Sequence, residues 1–174
     1  MPKRTNDLVI RIPPDVLKAA LLGATSGVRS MAAPALLSRA VARGVVPGLR
    51  GTPFAALGSD RVSTLLQVLM IGEMGGDKTP FVPSRTSAGP VFGRALSGAL
   101  VGSALFVSRR RRGIPGALLG AASALAGVYG ADRLRSATTQ GLGLPDPIFG
   151  LIEDAIVLFG GSRLLRKDPE TGGG

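Results

Sequence analysis

The sequence predicts an all-α fold, a polytopic integral membrane helix bundle with about five hydrophobic segments. Three observations predict this class. Of the 174 residues 45% are apolar, yet the chain carries a net charge of +10. Two segments long enough to cross a bilayer contain almost no charge. Pairs of Gly four residues apart recur inside the apolar segments.

Two segments carry the strongest membrane signal. Residues 88–107 hold one charged residue, Arg94, and residues 113–131 hold none. Because a helix rises about 1.5 Å per residue, roughly 20 apolar residues match a bilayer core of about 30 Å. We therefore predict two membrane-spanning helices joined by a turn that contains the basic run Arg109–Arg112.

Three weaker segments follow the same logic but are interrupted by polar residues. They are residues 16–45, with Lys18, Arg29, Pro34 and Arg39; residues 62–76, with Gln67 and Glu73; and residues 147–163, with Glu153 and Asp154. Together the segments predict one membrane-embedded helical domain over residues 15–166. An N-terminal polar segment, 1–14, precedes it without the pattern of a secretory signal, and a disordered tail, 167–174, follows.

Small-residue spacing indicates how these helices pack. The pairs are Gly23 and Gly27, Gly72 and Gly76, Gly98 and Gly102, and Gly116 and Gly120. In lipid, small residues four apart let helix backbones approach closely, whereas in water the same glycines weaken helices. The spacing favours a membrane bundle with the lipid bilayer as its partner, and a homo-oligomer formed through the glycine faces.

The composition excludes several kinds of chemistry. The chain has no Cys and no His, which removes disulfides, thiolate chemistry, Cys/His metal sites and every His-based catalytic triad. Aromatic residues make up 4% of the chain and Trp is absent, which disfavours a large soluble core. We predict no metal and no cofactor.

The run Arg109–Arg112 sets the expected orientation. Nucleic-acid binding would call for stacking aromatics near the basic residues, and the single Tyr lies in an apolar segment. The positive-inside rule accounts for the run better, so we predict a multi-pass protein of the cell membrane with this turn in the cytoplasm. By alternation the C-terminus is then also inside, and no nucleic-acid partner is expected.

Two alternatives remain open for residues 16–45. If they cross once, the basic N-terminus falls outside, and the similar strings ALLGATS (20–26) and ALLGAAS (117–123) lie antiparallel, as in an inverted repeat. If they form two half-helices broken near Gly27 to Pro34, both ends lie on one side and the inversion disappears.

Four parts of the chain carry motifs that occur together in one known family. They are Gly27, Arg29, Ser30 and Pro34; Asp77, Lys78, Pro80, Pro83 and Arg85; Gly93, Arg94, Gly98, Ala99, Leu100 and Gly102; and Gly143, Leu144, Pro145, Asp146, Pro147, Glu153 and Asp154. On these residues, over most of 20–160, the chain resembles the uncharacterised bacterial integral-membrane family catalogued as domain of unknown function 4126. The resemblance implies a membrane placement and no established activity.

The ionisable residues inside the segments are the candidate site. A charge at the bilayer centre costs about 2.5–3.5 kcal/mol on insertion scales, so each needs a partner or a role. Alternation brings Glu73, Arg94, Glu153 and Asp154 to similar depth in the outer half of the bundle. Either Arg94 pairs with Glu153 or Asp154 and clamps two helices, or the cluster lines a polar cavity.

Other charged residues extend this picture. Arg29, beside the break at Pro34, is a separate candidate for contact with an anionic group, and Asp77, Lys78, Arg85 and Asp146 are expected on outer loops. We predict a transporter-like or channel-like protein for an ion or small polar solute. The alternatives are a non-catalytic membrane structural or partner-support protein, and a membrane-embedded enzyme acting on a lipid or anionic substrate. No catalytic residue is assigned, and an enzyme is the less favoured alternative.

Overall fold

The computed structural model describes residues 12–76, 87–142 and 146–166, and within these ranges it is all-helical, as predicted. A short 3₁₀ helix, Pro53–Gly58, lies between the second and third of six α-helices. The helices are α1 Pro14–Val28, α2 Ala32–Ala42, α3 Asp60–Gly76, α4 Ala88–Ser108, α5 Gly113–Leu142 and α6 Asp146–Leu164. The predicted polar segment and the predicted tail lie almost wholly outside the described residues.

Proline marks where most of these helices begin. Five of the six α-helices have a Pro within their first three residues: Pro14, Pro34, Pro90, Pro115 and Pro147. Proline lacks an N–H, but the first N–H groups of a helix have no intrahelical acceptor, so the loss costs nothing there. The chain can therefore start a new helix soon after each turn.

Helices α4 and α5 contain the two longest apolar stretches. Among the described residues, two helices are long and apolar enough to cross a membrane, α4 and residues Gly113–Thr138 of α5. The segments predicted at 88–107 and 113–131 are thus both helical. The second continues to Leu142, past the first charges, because no Pro and no Gly occur between Gly130 and Gly141. The wider expectation of about five membrane segments stays a prediction.

Glycine contacts hold α1, α4 and α5 together. Gly98 and Gly102 of α4 face Gly120 and Gly116 of α5, so these two helices run antiparallel. A Cβ atom on Gly120 would overlap the carbonyl oxygen of Gly98. Small residues thus allow backbone-to-backbone contact. Three of the four predicted glycine pairs, those on α1, α4 and α5, pack inside the chain.

The two similar strings are parallel neighbours. A Cβ atom on Gly23 would lie 2.7 Å from the carbonyl oxygen of Gly120, and one on Gly27 would overlap the carbonyl oxygen of Ala124. Both contacts join residues 97 apart, which is the offset between the strings, so α1 and α5 run parallel and in register. The inverted-repeat interpretation is therefore wrong. The similarity reflects two small-residue faces that pack against each other.

The segment 16–45 is broken, and its halves return to one end of the bundle. One cavity there is lined by Asp15 at the start of α1, residues 44–47 after α2, Ser108 at the end of α4 and residues 164–166 at the end of α6. Arg111, in the α4–α5 turn, also forms an ion pair with Asp15 at 3.0 Å. We call this end, which carries the run Arg109–Arg112, the basic end.

Replacing Gly120 by Ala should destabilise the fold. In an isolated helix the change would stabilise by about 1 kcal/mol, because Ala is the better helix former. Here the added methyl group meets the backbone of α4, and overpacking of a close-packed contact costs about 1–3 kcal/mol. We expect a lower melting temperature for the purified protein in detergent, measured by far-ultraviolet circular dichroism.

Gly130→Ala on the same helix is the matched control. Nothing lies within 4 Å of a Cβ atom at Gly130, so its melting temperature should stay unchanged or rise. Equal melting temperatures for the two variants would contradict the proposed role of the close contact.

Candidate functional site

The buried charges lie around the break between α1 and α2. Within the described residues four charged side chains are buried: Arg29, Arg94, Glu153 and Asp154. Arg29 is 2% exposed, although it ends a helix and has a long side chain. Because α1 has 15 residues, the break lies roughly 22 Å from the basic end, about two thirds of the length of α4.

An ion pair joins the break to α6. The Nε atom of Arg29 donates to the Oδ1 atom of Asp154 at 2.7 Å. Charges removed from water in this way are stable only with good geometry and further hydrogen bonds. Asp154 thereby places α6 against the end of α1, and Arg29 does not extend to the surface.

Glu73 of α3 holds the entry to α2. Its Oε1 atom accepts hydrogen bonds from the backbone N–H and the hydroxyl of Ser30, and its Oε2 atom accepts one from the N–H of Met31, all at 2.8 Å. A carboxylate is favourable at a helix N-terminus, where N–H groups lack intrahelical acceptors. Glu73 therefore does for α2 what an N-cap side chain does in other helices.

The carbonyl of Ser30 also has a partner from another helix. Pro34 lies four residues later and has no N–H, so the usual helical hydrogen bond to this carbonyl cannot form. The hydroxyl of Ser97 on α4 donates to the carbonyl instead. Ser97 Oγ lies 3.4 Å from Ser26 Oγ on α1. The break is thus held by α3, α4 and α6 together.

Glu153 has a different partner from its neighbour. Its Oε2 atom accepts a hydrogen bond at 3.0 Å from Arg135, near the end of α5. The two adjacent carboxylates of α6 therefore bind guanidinium groups on two different helices, as their angular separation of about 100° requires. Arg94 is buried on α4, one turn before Ser97, and the clamp predicted between Arg94 and Glu153 or Asp154 stays a prediction.

The structure changes the role expected of Arg29. The sequence separated it from the cluster of Glu73, Arg94, Glu153 and Asp154, whereas in the structure it pairs with Asp154 and adjoins the residues that Glu73 binds. The sequence also predicted four polar residues on outer loops. Asp77, Lys78 and Arg85 lie outside the described residues, and Asp146 is the first residue of α6.

Ser97 and Arg135 were not identified from the sequence, and Ser30 was named only as a motif residue of the resemblance, without a role in the site. Short hydroxyl side chains in apolar helices are common and carry no signal alone. Arg135 lies beyond the apolar segment, but a helix continued through residue 135 brings it next to α6. Within the described ranges no three acidic side chains converge as metal ligands would. The arrangement has the chemistry of a buried ion-pair network.

Arg29→Met should destabilise the protein strongly. The substitution leaves the carboxylate of Asp154 buried without its guanidinium partner, which costs about 3–5 kcal/mol. The double variant Arg29→Met/Asp154→Asn should regain part of this loss, because the uncompensated charge is gone. Unfolding of each variant in detergent, followed by circular dichroism, measures both effects.

The ion pair of Arg111 and Asp15 provides the control. The Arg111 side chain is 44% exposed, and such a pair contributes about 0–1 kcal/mol. Arg111→Gln should therefore leave the unfolding curve almost unchanged. Similar losses for Arg29→Met and Arg111→Gln would contradict the central position of the Arg29–Asp154 pair.

Comparisons with known proteins give one match. The family model described as domain of unknown function (DUF4126) matches residues 16–165. This range begins in α1, ends one residue after α6, and includes every residue of the ion-pair network. No curated protein and no solved structure matches the chain. Because the match covers well over half of the sequence, the chain belongs to the DUF4126 family.

Proposed function

We propose that the chain is a multi-pass membrane protein. The observation that supports this is the distribution of residues along the helix bundle: of the described residues, four charged side chains are buried, while twenty large apolar side chains are exposed. On α6, Glu153 and Asp154 face inward while Leu151, Ile156 and Phe159 face outward. A water-soluble bundle has the opposite arrangement. Exposed large apolar side chains also occur on α3, α4 and α5.

In this placement α1 and α2 form a re-entrant pair. Neither reaches the roughly 20 residues that a bilayer crossing needs, and re-entrant backbone is tolerated where protein covers it. Lys18 of α1 and Arg43, which follows α2, then lie on the same side as Arg109–Arg112. This concentration of cations agrees with the positive-inside rule.

The function that this geometry supports best is passage of an ion or small polar solute. Its basis is the buried network at the broken helix, Arg29 with Asp154 and Glu153 with Arg135. Broken helices with charged partners at membrane depth are the usual site of substrate or ion binding in transporters. The leading role is therefore transporter-like or channel-like, with the α1–α2 break as its centre.

A second role, as a non-catalytic structural protein, is favoured by one observation. Among the described residues every buried side-chain nitrogen and oxygen atom has a hydrogen-bond partner. A network satisfied by the protein alone can serve to lock α1, α3, α4 and α6 together. Transport requires the residues of this network to exchange partners. In a purely structural protein the same hydrogen bonds and ion pairs stay formed.

Single-cysteine labelling should place the start of α1 and the end of α2 on the same side of the membrane. The chain has no Cys, so each introduced Cys is the single labelling site. We expect Ile12→Cys, Arg43→Cys and Arg112→Cys to react with a membrane-impermeant maleimide from the cytoplasmic side, and Thr138→Cys from the other. The readout is labelling of intact cells against inverted vesicles.

The pair Ile12→Cys and Arg43→Cys decides the re-entrant arrangement. Labelling of these two positions from opposite sides would contradict it and favour a single crossing. Labelling of all four positions from both sides in sealed vesicles would contradict the membrane placement itself.

Proteoliposomes should show flux that depends on Asp154. We expect the reconstituted full chain to pass protons or chloride under an imposed potential, measured with a pH-sensitive dye and a chloride electrode. Asp154→Asn should lower the flux by about tenfold or more, because it removes an intramembrane charge. Ser97→Ala, at the same break, removes a hydroxyl group and no charge, so it should lower the flux by a smaller factor.

Asp132→Asn is the control, since it removes an exposed acid from α5. It should leave the flux unchanged. No flux of either ion through the folded wild type, or equal flux through wild type and Asp154→Asn, would favour the structural role.

A further inference from the structure

A second charged feature lies at the basic end, away from the buried network. A cavity of about 1050 Å³ opens there between α1, α2 and α6. Five cationic side chains line it: Lys18, Arg39, Arg43, Arg163 and Arg166. Among the described residues, no acidic side chain lines it. We call it the cationic cavity.

An acidic residue of the neighbouring cavity, Asp15, pairs with an arginine outside the cationic cavity. Asp15 lines a smaller adjoining cavity, which shares Lys18 and Arg166 with the cationic cavity. Its carboxylate pairs with Arg111 at 3.0 Å. Arg111 balances the charge of that carboxylate, and the described lining of the cationic cavity itself carries only positive charges. Several guanidinium groups within one cavity favour an anion with several oxygen atoms.

Apart from Ser162, the rest of the described lining is apolar. The remaining walls consist of Leu36, Ala40, Val45, Leu164 and Leu165, together with Ser162. A binding site for a small hydrated anion alone would not need such walls. A cationic region next to an aliphatic surface matches a molecule with a charged headgroup and hydrocarbon chains.

Arg163 connects the cavity to the outward apolar face. Its guanidinium carbon lies 4.6 Å from the ring centroid of Phe159, a cation–π distance that holds the group in place. Phe159 is 64% exposed and belongs to the outward apolar face of α6. In the proposed membrane placement this ring contacts lipid, so the cavity lies at the boundary between lipid tails and cytoplasm.

We propose that the cationic cavity binds the phosphate group of an anionic membrane lipid. Basic pockets between helices on the cytoplasmic side are suited to such headgroups. Arg39, Arg43 and Arg163 bind the phosphate oxygens, and Leu36 and Leu164 contact the acyl chains. This site depends on the membrane placement proposed above but not on transport, so flux and lipid binding can fail separately.

General orientation by positive charge is the competing explanation. The positive-inside rule needs cations near the membrane surface but no cavity and no particular arrangement. The two explanations differ in one consequence. Only a lipid site predicts that removing three arginines of the cavity weakens lipid binding more than removing three other arginines at the same end.

Calorimetric titration of the full chain in detergent tests the proposal. The probes are short-chain phosphatidylglycerol, short-chain phosphatidylcholine and inorganic phosphate. We expect wild type to bind phosphatidylglycerol and not phosphatidylcholine. The variant Arg39→Gln/Arg43→Gln/Arg163→Gln should bind phosphatidylglycerol about tenfold or more weakly than wild type. The single variant Arg43→Gln should weaken this binding by a smaller factor.

The matched control is Arg50→Gln/Arg61→Gln/Arg112→Gln, which removes the same charge from residues that do not line the cavity. It should bind phosphatidylglycerol as wild type does. Equal affinity for inorganic phosphate would support the phosphate site and identify a free anion as its ligand. Equal weakening by both triple variants, equal binding of the two lipids, or no binding by wild type would overturn the proposal.

Discussion

The structure depends on how the chain is held where α1 ends and α2 begins. A helix break inside an apolar bundle exposes backbone N–H and C=O groups that have no water to bind. Glu73 accepts the N–H groups of Ser30 and Met31, and Ser97 donates to the carbonyl of Ser30. Asp154 pairs with Arg29 at the same place. With these partners the chain can reverse direction inside the bundle.

The glycine contacts make this arrangement compatible with close packing. α1 and α4 both lie directly against the backbone of α5, and both approach Gly120. Because the inner faces of α1, α4 and α5 are rich in Gly and Ala, large apolar side chains of these helices, such as Leu21, Leu100 and Leu118, face outward. Packing by small residues inside and exposure of large ones outside are two consequences of the same residue pattern.

The charges divide into two groups with different surroundings. The buried group at the break is paired within the protein, and its members come from helices far apart in sequence. The group at the basic end is mostly exposed and gathers where α1 begins and α2, α4 and α6 end. The return of α2 to this end creates the second group, so the helix break determines both the internal network and the cationic cavity.

The sequence by itself determined the all-helical class and the two longest apolar segments, and it predicted the break near Pro34 as one of two alternatives. These follow from local causes, namely apolar length, helix rise and the missing N–H of proline. It also identified Glu73, Glu153 and Asp154 as charges that need partners. The partners themselves were decided by the tertiary structure. Arg29 and Asp154 are 125 residues apart, and which helices meet depends on the packing of α1 parallel to α5, which no local pattern specifies.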